Sequence, residues 1–501
     1  MKAHAARSVE NVGLMGTTAG TTARDVTRQR AASDIVMQIV VRVANLALGT
    51  VVTALLVRAL GRAHYGQWST TFIVVGLISY FSTFGIEEIA VREAARDPER
   101  EFDWLGSVMM LRILALGPIT LAALAAIVAL HQSQEMLISG VILVLAMPFG
   151  GISAIGLMFK LRVDNRVPMI VLTVRSVLWG AAVLAIYLLH GGMVPLAISL
   201  VSTNLMGTIV NVFAARKLVG RWPRPTRRFV KPILVQALPV GLSGLLIIAY
   251  ARIDQVIVFT LKGAKEAGLY GSIYMLLDSA HFVPGSILTT MAPVIAAAWP
   301  ADPPRLKRAA RMTAELLCVG SFGALAFATV AATPVVRLIF GSEFVEAASI
   351  LPILGGAFVL ICFGYLNDNL VMSMGKQKKR VMIGLVALVV NLAGNFALVP
   401  AFGYTAAAAM TLVTELVVVA METKIVLDAL GVRRPHLGRI WRTAACALLL
   451  AGELAAARAL GAPLAVLVAL SCVSYPALLL ALGGVSRDDI LVVLKRREPA
   501  T

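Results

Sequence analysis

The sequence predicts an all-α, polytopic membrane protein with about fourteen transmembrane helices: two pseudo-symmetric six-helix bundles followed by a C-terminal helix pair. Three observations lead there. Apolar runs of about 20 residues recur along the chain, each long enough to cross a hydrocarbon core of about 30 Å as a helix. Hydrophobic residues make up 59% of the chain and charged residues only 14%, whereas roughly a quarter of a soluble domain is charged. The cations gather in alternate connections between the runs, and the chain repeats itself at an offset of about 200 residues.

Taken in order, residues 1–32 (GTTAGTTARDVTRQR and its surroundings) are polar, basic and rich in Gly and Thr. They lack the apolar core of a cleavable signal, so a disordered cytoplasmic tail is expected. The apolar segments fall at 33–59, 66–85, 106–130, 136–159, 168–189 and 193–215 (the first bundle, 33–215), then at 232–259, 267–297, 312–335, 347–373, 380–400 and 404–427 (the second, 232–427). Segments 440–458 and 462–483 form the terminal pair within 428–484, and 485–501 is a second cytoplasmic tail. Residues 216–231 (RKLVGRWPRPTRRFVK), with prolines and seven cations, read as the linker between bundles.

Charge placement supports this layout. With the N-terminus inside, 35 of the 45 Lys and Arg residues fall in cytoplasmic loops and tails. Six fall outside (Arg58, Arg62, Lys262, Lys265, Arg337 and Arg458) and four within helices (Arg42, Arg112, Arg175 and Arg252). That partition is the positive-inside pattern. The net charge of +18 is therefore dispersed over short loops, where it sets topology and meets anionic headgroups. It does not form a nucleic-acid surface. Cys318, Cys362, Cys446 and Cys472 all lie in apolar segments without metal-ligand spacing, and are expected as packing residues.

The repeat is most visible in two external turns. Gly61-Arg-Ala-His-Tyr-Gly66-Gln-Trp68 and Gly263-Ala-Lys-Glu-Ala-Gly268-Leu-Tyr270 both carry glycines five apart and an aromatic two residues beyond. Arg166-Val-Pro-Met-Ile matches Arg380-Val-Met-Ile, and Ser199-Leu-Val-Ser202 matches Thr411-Leu-Val-Thr414, with offsets kept between 202 and 214. Each bundle begins inside, so a parallel repeat about the membrane normal is implied. Carriers built this way hold substrate between repeats and rock one against the other.

Polar residues at depth mark candidate cavity walls. Asp34, Gln38, Arg42, Asn45 and Gly49 form a stripe on the first segment, and a guanidinium at bilayer depth costs at least ~3 kcal/mol unless it faces protein or water. Tyr270, Tyr274, Asp278, His281 and Gly285 form a second stripe on the eighth. Tyr250, Arg252 and Asp254 lie on the seventh and Glu415 on the twelfth. Arg252 and Asp254, two positions apart, point to different faces and should not pair. Arg42, Asp278 and His281 are expected to face a central, water-filled cleft bounded by the first, second, seventh and eighth segments. Arg112, Arg175, Glu315, Asp368 and Glu422, nearer the cytoplasmic ends, are expected to snorkel to the interface. Asp278, Asp254 and Glu415 are candidate seats for coupling to a proton or sodium gradient, since a carboxylate at depth can take up a proton.

No enzymatic chemistry is legible. The phosphate-loop pattern G-x-x-x-x-G-K-[ST] and zinc-type histidine spacing are absent from the sequence. No loop is long enough for an extramembrane catalytic domain. No cofactor is expected.

Several motifs in order resemble the polysaccharide transporter branch of the multidrug/oligosaccharidyl-lipid/polysaccharide (MOP) exporter superfamily, the oligosaccharide flippases. These are Ala-Leu-Gly61-Arg-Ala-His-Tyr65-Gly66, Phe84-Gly-Ile-Glu-Glu-Ile-Ala-Val-Arg92, Leu238-Pro-Val-Gly-Leu-Ser243 and Tyr250-Ala-Arg-Ile-Asp254-Gln. Ala267-Gly-Leu-Tyr270, Met291-Ala-Pro293 and Val399-Pro-Ala-Phe-Gly403-Tyr-Thr-Ala-Ala complete the set, so the likeness spans roughly residues 33 to 484. The resemblance implies a MATE-like flippase fold in the bacterial plasma membrane, turning an undecaprenyl-pyrophosphate-linked oligosaccharide outward for envelope or exopolysaccharide synthesis. Partners would be membrane lipids, a polysaccharide polymerase and glycosyltransferases. The family offers no fixed catalytic signature, so site roles rest on depth and chemistry: Arg42 and Arg252 for pyrophosphate, and Tyr250, Tyr270, Tyr274 and Asn45 for sugars, with Gln38 and His281 lining the same space. Three other readings stay open. One is a cation-coupled multidrug exporter, which should have twelve helices and an acidic cavity. Another is a lipid II flippase, whose arginine-rich first helix is unmatched here beyond Arg42. The third is a non-transporting scaffold.

Overall fold

The computed structural model describes residues 45, 48–147, 156–162, 166–219, 223–432 and 438–485. The first expected tail, the second beyond residue 485, Gln38 and Arg42 lie outside these residues. Helix α1 runs over 48–83, followed by α2 (Ile86–Arg96), α3 (Glu101–Leu130), α4 (Gln134–Leu145) and α5 (Leu157–Leu161). Next come α6 (Arg166–Leu188), α7 (Met193–Val219), α8 (Val230–Lys262), α9 (Ala264–Ala280) and α10 (Phe282–Ala298). The chain closes with α11 (Pro303–Phe340), α12 (Leu351–Ser373), α13 (Gln377–Leu430), α14 (Gly438–Ala459) and α15 (Leu464–Ala481).

Eleven continuous stretches among the described residues are long and apolar enough to cross a membrane. Two contain a glycine in the left-handed region: Gly61 in the first and Gly403 in α13. The α13 break is a reversal. Asn391 donates to Thr414 across 3.4 Å, whereas 23 residues of unbroken helix would separate them by about 35 Å. Gly403 adopts φ 58°, ψ −143°, which glycine reaches without steric penalty, and Glu266 fills the space beside it by accepting from Tyr404 N at 3.1 Å.

The two repeated glycine turns meet. A Cβ added to Gly66 would lie 1.9 Å from the Ala264 carbonyl oxygen, and one added to Gly268 would lie 1.9 Å from that of Arg62. Ala264 follows Arg62, and Gly268 follows Gly66, by the same 202 positions. The contact is thus reciprocal, as a local two-fold axis requires. Gly61 and Gly263, which open the turns, both have positive φ (67° and 86°). Trp68 and Tyr270, the aromatics of the motif, are both buried beside the axis, and Gln255 donates to Ser69 across it at 2.6 Å.

Other connections cluster around this turn end. Arg62 pairs with Glu346 at 3.2 Å, Ser133 donates to Gln67 at 2.9 Å, and Tyr404 donates to the Glu346 carbonyl at 3.3 Å. The opposite, basic end carries Arg162–Glu101 and Arg228–Asp103, with contacts of 3.1 and 3.0 Å. Successive connections therefore alternate between ends. At the basic end Phe84 packs on Gly241 and the Tyr80 hydroxyl on Gly244, where added Cβ atoms would lie within 2.4 and 1.9 Å.

Apolar packing follows the same plan. The largest buried cluster joins Val57, Leu60 and Trp68 to Ile257, Phe340 and Phe344, beneath the turn end. A second surrounds α2, whose Ile86, Ile89, Ala90 and Ala94 face inward, and includes the Trp104–Phe229 ring stack at 4.0 Å. The terminal pair α14–α15 docks on α11: Tyr475 lies against Gly323 and donates to the Val319 carbonyl at 2.8 Å. Cys318, Cys362 and Cys446 are buried as packing residues, while Cys472 is exposed; none forms a disulfide.

Candidate functional site

Among the described residues, two cavities with charged groups in largely apolar walls lie in the halves of their helices towards the basic end. The second takes in the seventh- and eighth-segment residues of the cleft expected from sequence, whose first-segment residues Gln38 and Arg42 lie outside the described residues.

The first, of about 800 Å3, lies among α1, α3, α4, α6 and α7. Arg112 and Arg175, expected to snorkel, both line it. Arg112 is buried and pairs with Glu87, which Lys160 also approaches at 3.5 Å. Arg175 differs. Its Nη1 donates to Asn204 Oδ1 at 2.9 Å, and among the described residues no carboxylate lies within 4 Å of it. Pro168, Val171, Leu172 and Arg175 share the cavity face of α6. Thr173 and Gly180, on a different face, meet the first helix: Asn45 donates to Thr173 at 3.2 Å, and Gly180 lies against Val52.

The second cavity, of about 420 Å3, lies among α8, α9, α12 and α13. Arg252 bonds Asp278 at 2.7 Å and sits 5.0 Å from the Tyr274 ring centre. It therefore pairs with the neighbouring helix rather than with Asp254, as its position on α8 requires. Arg380 holds Asp368 with a bond of 2.9 Å. Glu415 and Glu422, 8% and 5% exposed, line the cavity seven residues apart, two turns along one face. Neither has a cation within 4 Å among the described residues, and Glu422 Oε2 has no hydrogen-bond partner. Tyr250, Tyr365 and His281 complete the wall.

Asp254 and Tyr270 stand apart from both cavities. Asp254 accepts from the Tyr270 hydroxyl, from Thr411 Oγ1 at 3.1 Å and from Gln255 N at 2.7 Å. This closed node ties α8, α9 and α13 together beneath the turn end. The expected stripe on the eighth segment is split by geometry. The helix breaks at His281, between α9 and α10. Tyr270 turns into the node, while Tyr274 donates to the Ala251 carbonyl at 2.7 Å and Asp278 reaches the cavity.

Sequence reasoning did not foresee that Arg112, Arg175, Asp368 and Glu422 point inward. Distance from a helix end gives depth, not direction. Glu315 does sit at the basic end, bonded to Arg311 at 2.9 Å and Arg439 at 3.2 Å. The Arg380–Asp368 pair had a legible signal, because the two flank the short turn joining α12 and α13. Asn204 carried none.

Among the described residues, this all-helical bundle with a turn-to-turn pseudo-two-fold has the fold of several solved membrane transporters and flippases. The chain resembles a solved lipid II flippase, MurJ in an inward closed conformation, at 13% identity with TM-score 0.70, covering 92% of this chain and 100% of that one. It resembles an inward-facing multidrug resistance MATE family transporter of the MOP superfamily at 18% identity and TM-score 0.63, covering 77% and 95%. A MOP superfamily transporter from Pyrococcus furiosus gives 19% identity and TM-score 0.53, covering 79% and 93%. The profile of the polysaccharide biosynthesis protein family matches residues 31–299, and the chain belongs to that family. No curated protein sequence matches it.

Proposed function

We propose that this protein translocates an undecaprenyl-pyrophosphate-linked oligosaccharide from the inner to the outer leaflet of a bacterial plasma membrane, by alternating access, for envelope or exopolysaccharide synthesis. The observation that carries this reading is the first cavity, a roomy space at the basic end whose Arg175 has no carboxylate within 4 Å among the described residues, in a chain of the polysaccharide biosynthesis family. An anionic head suits such a wall, and its lipid tail can stay in the bilayer. The excess of cations at one end supports the reading that this end, with both termini, faces the cytoplasm.

The protein is a carrier and not an enzyme: its family and its solved relatives supply transport, and glycosyltransferases and a polymerase would act before and after it. Arg252 is engaged by Asp278, so Arg175 takes its place as a cation for phosphate, beside Arg42, which remains a reading of the sequence. Tyr250, Tyr274 and His281 in the second cavity supply sugar contacts, whereas Asn45 bonds Thr173 away from the first cavity. Tyr270 serves the closed node instead. Of the carboxylates considered for proton or sodium coupling, Asp278 is held by Arg252 and Asp254 has three donors. Glu415, joined by Glu422, is the better seat.

One observation favours a second reading. The second cavity is acidic and aromatic, with four carboxylates against two guanidiniums, a wall suited to a cationic amphiphile. Depleting the protein in its host separates the two. The flippase reading predicts that lipid-linked oligosaccharide accumulates on the inner leaflet and reappears outside when the wild type is restored. Unchanged distribution between leaflets, with raised sensitivity to cationic drugs, would establish the exporter instead.

A further inference from the structure

We propose that Arg175, held in place by Asn204, is the docking point for the phosphate-bearing head of the lipid-linked substrate; this rests on the flippase reading above. Guanidinium carries five N–H donors in a fixed fork that matches phosphate oxygens in pairs. Arg175 uses Nη1 on Asn204 Oδ1, and Asn204 is itself oriented by donating to the Leu200 carbonyl at 2.8 Å. The side chain is thus aimed by a neighbouring helix rather than neutralised by one. Its stem runs beside Gly207, where an added Cβ would lie 3.6 Å from Arg175 Cδ.

The rest of the cavity points the same way. Arg112 already has Glu87. Thr83, Thr208 and Asn211 also line the space and add polar groups beside the guanidinium. Arg175 lies nine residues from the start of α6, about 13 Å along the axis. An anionic head entering from the basic end reaches that depth while its glycan still faces water. A substrate head and a bulk anionic lipid share the phosphate chemistry, so the experiment must separate them.

Full-length protein in phosphatidylcholine nanodiscs would be titrated with radiolabelled farnesyl pyrophosphate, with farnesol as the uncharged control and phosphatidylglycerol as competitor. Wild type should bind the pyrophosphate, and Arg175→Gln should weaken binding about tenfold or more, with Arg175→Lys intermediate because it keeps charge but loses the fork. Asn204→Ala should lose about threefold, through orientation alone. Farnesol binding should be the same in wild type and variants, which shows that they are folded. Equal pyrophosphate binding by wild type and Arg175→Gln overturns the proposal. If Arg175→Gln does not fold, equal binding by Arg175→Lys and Asn204→Ala overturns it as well. Equal competition by phosphatidylglycerol also overturns it, since the site would then hold bulk lipid. Failure here with intact leaflet transfer in cells leaves the flippase reading standing. Loss of leaflet transfer as well removes both.

Discussion

Gly66→Ala should force the turn end apart. The added Cβ would sit 1.9 Å from the Ala264 carbonyl oxygen and 2.8 Å from both its carbonyl carbon and Gly268 N. All three are backbone atoms, so no rotamer change relieves them, and the turns must separate by more than about 1 Å to restore van der Waals contact. Overpacking of this kind costs about 1–3 kcal/mol, enough to move a two-state equilibrium by roughly fivefold to a hundredfold. The reciprocal contact predicts the same for Gly268→Ala. The double variant should fall short of the sum, because separating the turns once relieves both clashes. The measurement is maleimide labelling of Arg62→Cys added from the turn end, in otherwise wild-type and Gly66→Ala backgrounds. Labelling should rise in the variant at matched amounts of folded protein. Unchanged labelling with unchanged stability would mean that the turns do not form the closed end.

Arg112→Met should destabilise the fold far more than Arg175→Gln. Arg112 is 3% exposed and paired with Glu87, and removing one partner of a buried pair leaves the other charge uncompensated. Such losses run to 3–5 kcal/mol. Glu87 keeps some solvent and the more distant Lys160, so about 2–3 kcal/mol is expected here. The double variant Arg112→Met/Glu87→Gln should recover most of the loss, because no unpaired charge remains. Arg175 has no carboxylate to strand among the described residues, and Arg175→Gln should leave thermal stability nearly unchanged. Melting temperatures of the four proteins in one detergent test this. A double variant as unstable as Arg112→Met would show that Arg112 acts through something other than Glu87. The comparison also separates two arginines that look alike in the sequence.

Their likeness shows where sequence reading ended. The alternation of connections between ends was legible because positive charge avoids one side of the membrane. The glycine turns were legible because their spacing and trailing aromatics recur, and their meeting follows from the equal offset. Partner choice across helices was not legible. Arg252 and Asp278 are 26 positions apart, and nothing local shows that they touch. Periodicity placed Tyr270 and Asp278 on one stripe, and both lie on the unbroken α9, but Asp254 draws Tyr270 into the closed node while Arg252 holds Asp278 at the cavity. Arg175 and Arg112 had readable depth, whereas the direction each faces is set by the packing of α6 and α3 against their neighbours. Gln38 and Arg42 lie outside the described residues, so the polar stripe on the first helix stays an expectation from sequence.

The most direct test of the account is transfer itself. Purified protein would be reconstituted into liposomes carrying an undecaprenyl-pyrophosphate-linked oligosaccharide, and the fraction open to a membrane-impermeant glycosidase followed over time. The account predicts that accessible substrate rises from about half towards completion only in vesicles that contain the protein, and that Arg175→Gln slows the rise. Accessibility that stays at the protein-free level, in vesicles where the same preparation exports a cationic dye, would contradict it.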